Sequence, residues 1–443
     1  MSGDSGLLDR IESRDATVGV VGLGYVGLPV SIAFAEAGFT VNGFDIDTHR
    51  VQRLREADSY VDDVDDERLG KAVAGGFNPT SEPRGVADAD VYILAVPTGI
   101  ADDEPDMSAV ESAAATVAAQ SGDRETLVVV SSTVYPGATR EVVEPAVDGA
   151  RSLPTRFAMV PERLNPGGEY EFGEIPLVVG ADTDPARVAA TTLFDTVVNE
   201  THPVDSTETA ELTKTLENTY RMVNIALVNE LIKLAEGVQA DVWEAIEAAA
   251  TKPFGFQPFQ PGPGVGGHCI PVDPQFLSWR ATDIGTEVSF IDDAHQVNEE
   301  MPALVADRVE MLLRARGADI DDASIVALGA SYKPNVGDTR NSPALRVVEG
   351  LPAGIDVTVV DPHVDSESVA RQVARSPEEV DIEGADAVVL LVNHDTFDLS
   401  GIGERADCVF DTRNAMPSGT GADVIKLGEM VDTVDTEAVL PTQ

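Results

Sequence analysis

Residues Thr17–Asp45 read TVGVVGLGYVGLPVSIAFAEAGFTVNGFD, and the fold turns on this stretch. It opens with a continuous apolar run, as a parallel strand buried on both faces requires. Gly22-Leu-Gly24-Tyr-Val-Gly27 follows at once, then an apolar helical pattern, then a second strand ending at Asp45. Strand, glycine turn, helix and strand in that order frame a dinucleotide site. Gly22 permits the tight turn, Gly24 lets a pyrophosphate approach the backbone, and Gly27 lets helix and strand pack closely. The helix N-terminus offers phosphates its unpaired N–H groups and partial positive charge. Asp45 stands about twenty residues on, where a carboxylate accepts hydrogen bonds from the adenosine ribose. The same carboxylate would repel a 2′-phosphate, which points to NAD rather than NADP. The alternative for a lone GxGxxG is a glycine turn that merely packs.

Outward from this unit, apolar runs recur at Val91–Val96, Leu127–Val130, Phe157–Val160 and Leu177–Val179, with helix-like or polar stretches between. The alternation predicts a parallel sheet with helices on both faces. From Ser206 to Val238 the chain lacks proline and has its only glycine at Gly237. Leu212, Leu216, Tyr220, Val223, Leu227, Leu231 and Leu234 recur there at helical spacing, predicting one long helix capped near Asp205 or Ser206. Residues 241–250 and 290–316 also read as helices, and the Gly/Pro-rich stretch 254–274 as an irregular loop. A second alternating unit begins at Ser324, with strands Ile325–Leu328, Val357–Asp361, Ala387–Val392 and Cys408–Asp411 and a helix over 342–350. The expected fold class is α/β: two Rossmann-like, doubly wound parallel-sheet domains, 1–204 and 317–443. A long central helix and a helical middle domain, 205–316, join them.

At 443 residues the chain exceeds one ordinary core, and its 43% hydrophobic content supports packed domains. No run of ~20 apolar residues is present to span a membrane. The start lacks the basic and apolar regions of a signal peptide. Two cysteines, Cys269 and Cys408, make neither a disulfide framework nor a thiolate zinc site, so no metal is expected and the cytoplasm is the expected compartment. Carboxylates outnumber lysine and arginine 77 to 30, a formal charge of -47 that repels nucleic acid and anionic membranes. The charge is spread along the chain and its repulsion is screened within about 3 Å at 1 M salt, which reads as adaptation to a salty interior.

The loop Phe259-Gln-Pro-Gly-Pro-Gly-Val-Gly-Gly-His-Cys-Ile-Pro-Val-Asp273 carries glycines at 262, 264, 266 and 267 that allow backbone approach to a ligand. Cys269 closes it in a position to react, although free cysteines are more often buried small hydrophobes. Cys408, within the apolar strand CVFD, fits that plainer role. His268 is a sequence neighbour and in an extended segment would point elsewhere. On the long helix, Lys214 and Asn218 stand four residues apart on one face, in a chain with only six lysines. Alone, they read better as a solvated helix face.

The segments VGLGYVGLP, AVPTGIADDEPDMSAV, SSTVYPGATR, VPERLNPG, AELTKTLENTYRMVNIALVNE, FQPGPGVGGHCIPVDP and GASYKPNVGDTRNSPA together resemble the UDP-glucose/GDP-mannose dehydrogenase superfamily over nearly the whole chain. Within it the chain looks most like the UDP-N-acetylhexosamine 6-dehydrogenases, with UDP-glucose dehydrogenase as the competitor. The resemblance implies two successive NAD-dependent oxidations of a sugar C6 alcohol to a carboxylate, with Cys269 as covalent nucleophile. By the same resemblance Lys214 stabilises oxyanions, Asn218 assists it, Asp273 orders lysine and water, Glu162 serves base-like water-dependent steps, and Thr133 holds water.

Gly22, Gly24, Tyr25, Val26, Gly27, Asp45, Pro97, Thr98 and Thr133 would line the NAD site. Glu162, Arg163, Lys214, Asn218, Arg221, Asn224, Gly264, Gly266, Gly267, Lys333 and Arg340 would line the UDP-sugar site. Lys333 and Arg340 stand on a strand-to-helix loop, where a guanidinium suits phosphate, and Arg340 would act across a subunit boundary. An ordinary surface ion pair is the plainer reading of Arg340. The UDP-glucose branch carries a second glutamate four residues after the one matching Glu162; here Pro166 stands there, which favours the acetamido-sugar branch. A homodimer through the central helices is implied, with Ala226, Leu227, Leu231 and Leu234 offering a second apolar face. Two alternatives are a two-electron hydroxyacid dehydrogenase, which needs no cysteine, and a catalytically dead nucleotide-binding regulator, which Cys269, Lys214 and Asp273 argue against.

Overall fold

A computed structural model describes residues 6–429 apart from 62–63, 150–154, 165–167, 169 and 370–371; Pro166 thus lies outside the described residues. The chain forms two compact units, Met1–Glu217 with Gln275–Glu287, and Asn218–Pro274 with Val288–Gln443.

In the first unit the strands are β1 Thr17–Val21, β2 Thr40–Phe44, β3 Phe77–Thr80, β4 Val91–Leu94, a small antiparallel hairpin of β5 Gly99–Ala101 and β6 Glu104–Asp106, then β7 Thr126–Val130, β8 Thr155–Met159, β9 Leu177–Gly180 and β10 Thr201–Val204. Eight of them form one sheet in the order β10-β9-β8-β7-β4-β1-β2-β3. Central strands β4 and β7 are buried at every residue, which is why they read as unbroken apolar runs. The expectation of a parallel sheet meets one exception: β8 and β9 pair antiparallel, at Met159 and Gly180. The helix Gly27–Glu36 lies directly after the glycine turn. A Cβ on Gly27 would stand 1.8 Å from the Gly22 carbonyl oxygen, so only glycine allows this approach.

The second unit holds a six-stranded, wholly parallel sheet of β11 Ser324–Leu328, β12 Asp356–Val360, β13 Val373–Ala374, β14 Ala387–Leu390, β15 Cys408–Asp411 and β16 Asp423–Lys426, in the order β13-β12-β11-β14-β15-β16. One face packs on Val228, Ile232 and Ala235 of the long helix, Trp243 and Ile246 of the helix Val242–Ala250, and Val305, Val309 and Leu313 of the helix Ser289–Ala315.

The long helix runs Thr207–Val238, and Ser206 caps it by accepting the Thr209 N–H at 3.1 Å. Two sequence expectations change here. Leu212, Leu216, Tyr220, Leu227, Leu231 and Leu234 are exposed, whereas Ala226 is buried in a cluster with Met222 and Ala294. Ala226 therefore does not share the outer face with its neighbour Leu227, because each helical residue advances about 100°. The irregular loop also ends earlier than expected. A helix begins at Cys269 and continues to Asp283, with Pro271 in its first turn and Pro274 inside it at the loss of one backbone bond.

Candidate active site

Gly22, Asp45, Pro97 with Thr98, and Thr133 follow β1, β2, β4 and β7, which are sheet neighbours, so the expected cofactor residues share the C-terminal edge of one parallel array. Asp45 is buried; its Oδ2 accepts the Leu23 N–H at 2.8 Å and its Oδ1 the Asp47 N–H at 2.9 Å. The Arg50 guanidinium stands 3.9 Å from the same carboxylate, and Tyr60 donates its hydroxyl to the Leu23 carbonyl. Thr98 Oγ1 donates to the Thr133 carbonyl at 2.6 Å, tying the two edge loops together. A Cβ built on Gly24 would meet nothing within 4 Å, so the turn presents open backbone, as a pyrophosphate requires. Tyr25 is exposed. The residues present fit a bound dinucleotide.

After β8, the Glu162 carboxylate accepts the N–H groups of Arg163, at 2.7 Å, and of Leu164. Arg163, expected at the substrate, commits its fork to Glu217 and the Pro176 carbonyl. The sequence reading missed Glu211, which is fully buried and accepts the N–H groups of Gly137 at 2.5 Å and Thr139 at 2.8 Å. It fastens the start of the long helix to the YPGATR loop. Burial pushes its carboxyl up, with Thr139 and Gly137 opposing.

In the second unit Asn218 donates from Nδ2 to Asp273 Oδ2 at 2.5 Å, with both side chains buried. Asp273 lies one helical turn beyond Cys269, the exposed first residue of its helix, and Lys214 lies one turn before Asn218 along the long helix. The position places the partial positive charge of a helix N-terminus at Cys269. Cys408 is buried in β15, where burial pushes its thiol up to about 11. The Tyr332 phenol, unremarked in the sequence, is pushed up to about 12 by burial, then by Asp338 and by Cys269 beside it.

Lys333 Nζ stands 5.6 Å from the Tyr332 ring, and Arg340 pairs with Asp338 at 2.6 Å. Arg340 thus forms an ion pair within its own loop. Burial pushes the Asp338 carboxyl up, but its bonds from Arg340 prevail and hold it low. Asn224 bonds back to the Tyr220 carbonyl of its own helix, and Arg221 is exposed. Arg413 was also missed: its Nε donates to the Leu391 carbonyl at 2.6 Å, and Nη1 lies 2.7 Å from where a Gly262 Cβ would be. Burial lowers this guanidinium to about 10, with Asp411 opposing.

Models of the UDP-glucose/GDP-mannose dehydrogenase family match three successive regions: its NAD binding domain over 16–198, its central domain over 208–300 and its UDP binding domain over 326–418. The chain belongs to this family. It is 34% identical over 409 residues to the UDP-N-acetyl-D-mannosamine dehydrogenase of Pyrococcus horikoshii, covering 90% of this chain and 95% of that one. It is 34% identical over 395 residues to the UDP-N-acetyl-D-glucosamine 6-dehydrogenase of Pseudomonas aeruginosa, covering 87% and 92%. The structure of UDP-D-ManNAc dehydrogenase from Pyrococcus horikoshii superposes with a TM-score of 0.84 at 32% identity, covering 93% of this chain and 99% of that one. This member of the UDP-glucose/GDP-mannose dehydrogenase family is an NAD-dependent oxidoreductase with an NAD-binding and a UDP-binding domain. Among its described residues, no helix is long and apolar enough to cross a membrane.

Proposed function

We propose that this dehydrogenase oxidises the C6 hydroxyl of a UDP-N-acetylhexosamine to the uronate in two steps, with Cys269 as nucleophile. The observation that carries the reading is the placement of Cys269: exposed at a helix N-terminus, one turn from Asp273, which holds Asn218. Bound NAD supplies the hydride acceptor for each oxidation, and two are consumed. Gly22, Gly24 and Gly27 with Tyr25 and Val26 hold its pyrophosphate turn, Asp45 its ribose, and Pro97, Thr98 and Thr133 its nicotinamide side. Lys214 holds the developing C6 alkoxide.

The Cys269 thiolate then adds to the aldehyde carbon, and its oxyanion is held by Lys214 and Asn218. Loss of the second hydride leaves a thioester on the sulfur. Water, positioned by Thr133 and relieved of a proton by Glu162, adds to the carbonyl and displaces the thiolate, with Asp273 ordering lysine and water. The balance is alcohol, two NAD and one water giving carboxylate, two NADH and three protons. Lys333 and Arg413 meet the diphosphate; Arg340 joins them by leaving Asp338, and Arg163 needs the same release from Glu217. Gly264, Gly266, Gly267, Arg221 and Asn224 complete the sugar-nucleotide surface. The parts are divided as 1–204 for NAD, 205–316 for the nucleophile and dimer contact, and 317–443 for UDP.

Two NADH per sugar are expected with UDP-N-acetylmannosamine or UDP-N-acetylglucosamine in molar salt, and Cys269→Ser should abolish carboxylate while NAD binding survives. One NADH per sugar points to a two-electron hydroxyacid dehydrogenase. Turnover on UDP-glucose above both acetamido sugars shifts the substrate to the other branch.

The exposed stripe of the long helix supports a homodimer, since Leu216, Leu227 and Leu234 are each more than half exposed at 57%, 55% and 59%. Replacing Leu231 and Leu234 together by Glu should halve the mass seen by light scattering. A cytoplasmic role in supplying uronic acids for polysaccharide suits the product, and the -47 charge suits a salty interior.

A further inference from the structure

We infer that Asn341 is a positioning residue that ties the nucleophile loop to the nucleotide loop, so that a nucleotide bound at Lys333 governs the approach of the Cys269 thiol. The inference rests on the reading above of Cys269 as nucleophile and of loop 329–342 as a phosphate site.

The segment Pro261–Gly267 is buried except for half-buried Gly264, which is unusual for a loop because its backbone polar groups must find partners away from water. Two asparagines hold its ends. At the start, Asn229 Oδ1 accepts the Gly262 N–H at 2.9 Å, and Asn229 Nδ2 donates to Asn298 Oδ1 at 2.9 Å. At the far end, Gly267 donates its N–H to the Arg340 carbonyl at 2.9 Å, and Asn341 Nδ2 donates to the Gly267 carbonyl at 2.9 Å. Both backbone groups of Gly267 are therefore held by two consecutive residues of the other loop. Gly267 sits at φ +79 with the Tyr332 ring 2.8 Å from where a Cβ would stand, so its position has little freedom. Cys269 opens its helix two residues later.

Asn341 is itself fixed. Its φ is 51, a conformation that asparagine tolerates better than most residues. The next residue, Ser342, donates to the Ala330 carbonyl at 2.7 Å and caps the following helix. Lys333 and Arg340 belong to the same loop. An anion that shifts this loop therefore shifts Gly267, and with it the start of the helix that presents the thiol.

Iodoacetamide tests the coupling, because Cys408 is buried and Cys269 is the exposed thiol of the folded chain. The alkylation rate is measured with and without saturating UDP in the wild-type enzyme, in Asn341→Gly, which keeps the left-handed backbone and removes the amide, and in Asn341→Asp, which turns the donor into an acceptor facing the Gly267 carbonyl. UDP should change the wild-type rate at least about fivefold, the effect of one hydrogen bond of ordinary strength. Both variants should lose that response, bind UDP within about threefold of wild type by calorimetry, and show kcat reduced about fivefold with KM for NAD unchanged. The inference is overturned if folded variants, judged by their melting curves, keep the UDP response and kcat. It is equally overturned if UDP binding disappears along with the response, since Asn341 would then be a ligand contact. A wild-type chain that does not bind UDP at all refutes the phosphate-site reading of the loop instead.

Discussion

The two sheets repeat one hydrogen-bonding frame and then use it differently. β1 and β11 each run into a glycine of positive φ, Gly22 at 94 and Gly329 at 96, which donates to the last carbonyl of the next strand, Phe44 or Val360, at 2.8 Å. An aspartate follows that strand in each case, and it accepts the N–H of the residue after the glycine: Leu23 to Asp45 and Ala330 to Asp361, both at 2.8 Å. The frames part beyond this point. The first closes in a short turn, 22–26, on which a helix begins, whereas the second opens into the long loop 329–342. Asp45 faces an arginine at 3.9 Å, but Asp361 is sealed by His394, whose Nε2 lies 3.0 Å away. Since His394 Nδ1 accepts the Asn335 N–H at 3.0 Å, its Nε2 carries the proton and donates to Asp361. One frame leaves its carboxylate beside an arginine at the end of its strand; the other pairs it with a buried histidine that braces the loop carrying Lys333 and Arg340.

Three substitutions would sharpen or break this contrast. The largest effect should come from Gly27→Ala, whose Cβ would meet the Gly22 carbonyl at 1.8 Å. NAD affinity should fall at least about a hundredfold by calorimetry, the scale of severe overpacking; retained affinity would mean that the short turn is not the cofactor cradle. Next comes Asp361→Asn. Burial pushes this carboxyl up, but the His394 bond and the backbone N–H groups prevail and hold it at about 2, against 3.8 ordinarily. The unfolded chain therefore binds the proton more readily, so the stabilisation is complete above about pH 5 and is lost as pH falls through about 2. The variant should lose about 2 kcal/mol at neutral pH in denaturant titrations and show a flatter acid limb, with NAD binding unchanged. Smallest is Asp45→Ala, with KM for NAD raised about tenfold and NADP newly usable because Arg50 is freed to meet a 2′-phosphate. An unaltered NAD/NADP ratio would show that Asp45 does no more in the first sheet than Asp361 does in the second.

The central strands were legible because both their faces are buried and their sequences have no polar alternation. The strands that escaped notice in the main sheets, β3, β10, β13 and β16, all lie at sheet edges, and they carry exposed or half-exposed residues such as Asn78, His202 and Lys426. The long helix was plain from its spacing, yet spacing alone does not say which stripe faces inward: Leu212, Leu216, Tyr220, Leu227, Leu231 and Leu234 proved to be outside, while Met222, Val228 and Ile232 are buried. Prolines at 271 and 274 hid the helix that starts at Cys269. Asp45 and Cys269 could be singled out because each stands in a short motif. Glu211, Tyr332, Asn341 and Arg413 could not, because their roles depend on partners that only tertiary structure brings near.

The buried segment Pro261–Gly267 also has a consequence for synthesis. Its partners include Asn298, Tyr332, Arg340, Asn341 and Arg413, all of which leave the ribosome after it. The Gly22–Asp45 cradle closes entirely within the early part of the chain, so the dinucleotide cleft can mature while the thiol segment still awaits the last third of translation. Until that third arrives, the segment leading to Cys269 has only its earlier partner Asn229, and its far end waits for the loop that supplies Arg340 and Asn341.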